Sequence, residues 1–154
     1  LETIFGLAEA LEGSAFGGWA RGSSLAYPVA NLVHLLGLVM LVGAIGVLDL
    51  RLAGLWRSLP LPELSRALTP IGVAGLLVML PSGFVMFAAD AGSLIGSPVF
   101  QAKLAVIALG IANALAFRVL WRGDEPAGLG RLMVIGSVGA WLMVAALGRL
   151  IAYT

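Results

Sequence analysis

The sequence predicts an all-α, four-helix transmembrane bundle with an N-terminal amphipathic interfacial helix. Three observations carry that prediction. Hydrophobic residues make up 60% of the 154 positions and charged residues only 11%, and the mean hydropathy is +1.05. A soluble domain is roughly 25% charged, so this chain has too little polar surface to face water alone. Four apolar runs, at about 25–48, 67–88, 99–121 and 130–152, are each long enough to cross a hydrocarbon layer of ~30 Å. Short stretches rich in turn and breaker residues separate them.

The first segment, "LETIFGLAEALEGSAF" (about residues 1–16), is too short and too polar to span. Ile4, Phe5, Ala8, Leu11 and Ala15 recur at helical spacing, with Glu2, Glu9 and Glu12 mostly on the other side. That pattern predicts a helix lying in the membrane interface. It lacks the positive n-region of a cleaved signal peptide. The connections that follow are "RSLPLPELSR", with two prolines, "DAGSLIGSP", and the charged "RGDEPAGLGR". No tandem repeat or soluble module interrupts the pattern, so residues 1–154 read as a single integral membrane domain in contact with a lipid bilayer.

Composition also excludes functions. The net charge of +1 offers no electrostatic footprint for nucleic acid. The absence of cysteine removes disulfides, thiolate zinc sites, cysteine-held iron–sulfur clusters and covalent haem attachment. No nucleophile–base pair, zinc-ligand cluster or phosphate-binding glycine loop is present, which argues against independent catalysis.

Arginine and lysine set the expected orientation. Arg51, Arg57, Arg66, Arg118, Arg122 and Arg131 flank two connections on one side. Arg21, Lys103 and Arg149 belong to the other, so both termini are expected outside the cytoplasm.

The single histidine, His34, lies inside the first span. On a helical wheel it shares an arc of about 80° with Tyr27, Asn31, Leu38, Leu41, Ile45 and Asp49. Val29, Val33, Leu36, Met40 and Val47 occupy the opposite side. His34 is therefore expected to face protein, with Asn31 helping to fix its ring. It reads as an interhelical polar tie, as a haem or metal ligand, or as a relay. Met79 and Met143 reach nearly its depth, and Met86 lies two turns beyond Met79 on about the same face. Imidazole with thioether suits haem iron or Cu(I), so His34, Met79 and Met143 form one candidate set and His34, Met79 and Met86 another. Methionine is also an ordinary filler of apolar gaps. A two-histidine haem site would need two copies of the chain.

Other marks are architectural. Asn113 is an amide at mid-membrane depth and needs a partner. Asp49 and Arg51 end the first span, where a salt bridge or headgroup contact is expected. Ala108, Ala112 and Ala116, and Gly136 with Ala140, form small-xxx-small patterns for close helix approach, within the bundle or against a partner. Trp19, Trp56 and Trp121 fall near span ends, as an interfacial belt would place them.

The blocks "YPVANLVHLLG", "LDLRLAGLW", "AKLAVIALGIANALAF" and "GRLIAY" resemble a family of small four-helix bacterial inner-membrane proteins of unknown function. Tyr27, Pro28, Asn31, His34, Gly37, Asp49, Arg51 and Gly54 carry the most specific part, and the resemblance covers nearly the whole chain. It implies a bacterial inner-membrane bundle and no defined activity. Where some relatives have a histidine near the end of the third span, this chain has Phe117–Arg118, which argues against a paired-histidine haem site in one chain. The layout is also similar to copper-resistance membrane proteins and b-type cytochrome subunits, by architecture alone.

The expected function is a non-catalytic membrane subunit or scaffold, as a homo-oligomer or beside a periplasmic redox or metal-handling partner. The alternative is a haem b or copper electron-transfer protein using His34, and a small transporter is the third class. Orientation is directly testable because the chain has no native cysteine. In right-side-out cells, an impermeant maleimide is expected to label Ser93→Cys and not Ser58→Cys, and the reverse pattern inverts the topology.

Overall fold

A computed structural model describes residues 2–121 and 126–153, and these are helical almost throughout. The elements are α1 (Glu2–Glu12), α2 (Ala15–Gly22), α3 (Ala26–Leu52), α4 (Leu61–Ala89), α5 (Ala91–Gly96), α6 (Pro98–Leu120) and α7 (Leu129–Leu150), closed by a 3₁₀ turn over Ile151–Tyr153. The helices α3, α4, α6 and α7 are long and apolar enough to cross a membrane. The all-α bundle expected from the composition is the observed fold, and it is that of a multi-pass membrane protein.

Helix limits differ from expectation where local chemistry decides them. The N-terminal segment is two helices, because Gly13 weakens the first and Ser14 starts the second. The Ser14 hydroxyl accepts from the Gly17 amide at 3.2 Å and so satisfies one orphan donor of α2. The helix α4 starts at Leu61, six residues before the predicted span at 67. Pro62 does not block it, since in a first turn its missing N–H costs no helical hydrogen bond. The connection "DAGSLIGSP" contains the short α5. Part of "RGDEPAGLGR", including Arg122, lies outside the described residues.

The short helices cap one end of the bundle. α1 packs on α5, and α2 packs on α4. Glu12 fastens this cap by accepting from the Gly92 amide at 2.8 Å and pairing with Arg21 at 2.9 Å. Arg21 also donates to the Ala89 carbonyl at 3.1 Å. The amphipathic pattern thus has a concrete partner at the end of α4.

The long helices touch in the order α4–α3–α7–α6. Leu41, Met79, Trp141 and Val144 form the central buried cluster, and Val106, Ile107 and Ile111 of α6 pack against it. Outward faces carry Leu32, Leu36, Leu77, Leu109, Leu115 and Leu132, all largely exposed, as a lipid-facing surface requires.

The closest backbone approach joins α3 and α4 through two glycines. A Cβ on Gly37 would stand 2.7 Å from the Gly75 carbonyl oxygen, and one on Gly75 would stand 2.6 Å from the Gly37 oxygen. Either atom would collide with rigid backbone. Gly72 is a third flush position, since its Cβ would stand 2.6 Å from Ile45 Cδ1.

The alanine and glycine stripes picked out from spacing behave differently. Ala108, Ala112 and Ala116 are exposed on α6. Gly136 has no neighbouring atom within 4 Å of where its Cβ would stand, and Ala140 is half-buried. The close α3–α4 contact instead uses Gly37, Gly72 and Gly75, because helix–helix contact selects the face and not the spacing alone. Gly75→Leu is expected to destabilise the fold by about 1–3 kcal/mol or more through overpacking. Gly136→Leu should change it by less than ~0.5 kcal/mol, as for an open surface position. Thermal unfolding in detergent micelles checks both.

Candidate functional site

Imidazole needs hydrogen bonds in a place where water cannot supply them, and α4 provides them to His34. The ring is half-buried between α3 and α4, where its Nδ1 lies 3.1 Å from the Met79 carbonyl oxygen and 3.2 Å from Ser82 Oγ. A carbonyl can only accept, so Nδ1 must carry the proton in that contact. Ser82 spends its own proton on the Val78 carbonyl at 2.8 Å, which leaves an oxygen lone pair toward His34. In the neutral ring the remaining lone pair is then on Nε2.

Glycine again makes the space. A Cβ on Gly83 would stand 3.1 Å from His34 Cε1, so the ring lies over a bare turn of α4. Sequence reasoning missed Ser82 and Gly83. The signal was a "PSG" step inside an apolar run, which reads as a loop breaker and here lies within a continuous helix.

Lys103 of α6 is the other polar group near this level. A Cβ on Gly148 would stand 3.3 Å from Lys103 Nζ, so the ammonium lies along a bare stretch of α7. It is within electrostatic range of the His34 ring.

The other candidate residues divide sharply. Met79 is 8% exposed; its side chain fills the space beside Gly37, and its carbonyl accepts from His34. Met143 is 52% exposed on the outer face of α7, so depth matched and direction did not. Met86 is half-buried about two turns further along α4. Of the three thioethers, Met143 is the one whose exposed outer-face position separates it from the imidazole. Among the described residues no group of three or more His, Asp or Glu side chains could hold a metal ion.

Asn31 does not orient the ring. It is exposed, as is Tyr27, while Ala30, Gly37, Leu41 and Ala44 form the buried edge of α3. The shared stripe is real, but neighbouring helices cover it only from His34 inward.

Asp49 and Arg51 are both buried, yet they do not pair with each other. Two positions apart on a helix, their side chains diverge by about 200°. Arg51 turns to the following connection, donating from Nε to the Leu59 carbonyl at 2.8 Å and from Nη2 to the Arg57 carbonyl at 3.1 Å. It thereby holds a tight turn in which Gly54 has φ +111° and Trp56 φ +48°. Asp49 instead meets the buried Ser137 hydroxyl of α7. Asn113 finds the partner its depth demands, donating from Nδ2 to the Met133 carbonyl at 3.0 Å and tying α6 to α7.

No protein-family model matches the chain, and neither curated proteins nor solved structures give a match.

Proposed function

We propose that this chain is a non-catalytic integral membrane subunit or scaffold, of the small four-helix bacterial inner-membrane type its motifs resemble. One observation carries the reading. The only imidazole is engaged as a tie between α3 and α4, and Met143, one of the thioethers that could join it as a ligand, is exposed on the outer face of α7. Lys103 supports it further, since a positive charge near the ring raises the cost of seating a metal cation there. The exposed small-residue stripes of α6 and α7 favour a helical partner in the membrane, either a second copy or a subunit of a complex. The arginine distribution favours periplasmic termini, the side on which a redox or metal-handling partner is proposed.

A second reading rests on a different feature of the same ring. An Nδ1–H held by a carbonyl leaves Nε2 oriented for a metal, which is how ligating histidines are commonly fixed. A haem b or copper site would then take its second ligand from Met79 or Met86 of this chain, from another copy or from another protein.

The ultraviolet–visible spectrum and copper content of protein purified in mild detergent separate the two. The subunit reading predicts no Soret band, copper well below one per chain, and a His34→Gln variant that is equally colourless. That variant should lose on the order of 1 kcal/mol of stability, the scale of one interhelical hydrogen bond. A Soret band or stoichiometric copper that disappears in His34→Gln would overturn it in favour of the second reading.

A further inference from the structure

At the end of the bundle away from His34, α3 and α7 part to leave a cleft of about 300 Å³. Its walls are Val42, Val47, Val138 and Leu142, with Gly43 and Gly46 forming a bare strip along α3. A Cβ at either glycine would meet no atom within 4 Å. Asp49 and Trp141 also belong to its lining. Asp49 is 7% exposed and Trp141 is 6% exposed. Their Oδ2 and Nε1 atoms are fully buried and have no hydrogen-bond partner among the described residues. Each such atom in a low-dielectric interior costs free energy until something pairs with it.

The two orphans are of opposite kind. Oδ2 of an ionised carboxylate accepts, and an indole N–H donates. A hydroxyl is the one simple group able to serve both kinds, donating to a carboxylate and accepting from an indole. An ammonium would serve the carboxylate alone, and an ether or ketone the indole alone. The space is about ten times that of one liquid water, roughly 30 Å³, so most of the occupant must be apolar. The lining combines an indole with two bare glycine positions, a combination suited to a flat ring.

We propose that this cleft binds a lipophilic phenol, a flat aromatic ring with one hydroxyl or the two of a hydroquinone, drawn from the bilayer. The hydroxyl seats between Asp49 Oδ2 and Trp141 Nε1, and the ring lies against Gly43 and Gly46. The chain's own phenols, Tyr27 and Tyr153, are at the opposite end of the bundle, so a parallel second copy cannot supply one. The site is independent of the role of His34.

Thermal unfolding in phosphatidylcholine nanodiscs, with 4-pentylphenol, 4-pentylanisole and 1-nonanol as probes, tests it. The phenol should raise the melting temperature saturably by at least about 2 °C, and the other two should not. Asp49→Leu should lose the shift. Gly46→Leu, which fills the open strip without touching either polar group, should fold and also lose it. An equal shift from the anisole would mean the hydroxyl is not recognised, and an equal shift from the alcohol would remove the ring. No shift in the unmodified protein, or a shift retained in Gly46→Leu, would overturn the proposal, leaving a cleft that holds only water or lipid tails.

Discussion

Gly37 and Gly75 allow the α3 and α4 backbones to meet with each carbonyl oxygen where the other residue's Cβ would be. In a membrane there is little hydrophobic gain from joining two apolar helices, so close van der Waals contact and polar ties must supply the association. The glycine contact supplies the first and sets the distance for the second. Only at that spacing does His34, one turn before Gly37, reach the carbonyl of Met79 and the hydroxyl of Ser82. Met79 in turn fills the space beside Gly37 and enters the central cluster with Leu41, Trp141 and Val144. The registry of the core therefore follows from one crossing.

Three polar side chains of the spans share a rule. His34, Asn113 and Arg51 each donate to a backbone carbonyl outside their own helix. Helical carbonyls have a second lone pair available after the i to i+4 bond, and in hydrocarbon they are the nearest acceptors to be had. The same rule separates the two regions of interest. The His34 ring donor is matched by α4, which makes that region a tie. Asp49 and Trp141 do not follow the pattern, which makes their cleft the place where an outside molecule has something to offer.

The architecture was legible because span length and apolar composition are dictated by bilayer thickness. Span edges were less so: Pro62 reads as a stop in sequence but is harmless in the first turn of α4, and Gly13–Ser14 ends one helix and caps the next. The inward turn of α3 at His34 could be read from its stripe, whereas the exposure of Asn31 and Tyr27 could not, because a helical wheel gives direction and not where neighbours end. Met143 failed for the reverse reason, since depth was matched without direction. Small residues at i and i+4 marked Ala112 and Gly136, while the contact used Gly37 and Gly75, which pair across helices and leave no signature within either run. Trp141 was hidden by its own hydrophobicity.

The claim that His34 is a proton-donating tie across the glycine crossing can be measured on the ring itself. The chain has one histidine, so protein labelled with ¹⁵N-histidine and ¹³C-carbonyl methionine gives a single pair of ring nitrogens in solid-state NMR of lipid bilayers. The account predicts a protonated Nδ1, an unprotonated Nε2 in the neutral ring, and a through-space transfer from Nδ1 to a methionine carbonyl that vanishes in Met79→Leu labelled the same way. Protonation at Nε2 with a bare Nδ1, or no transfer to any methionine carbonyl, would contradict it.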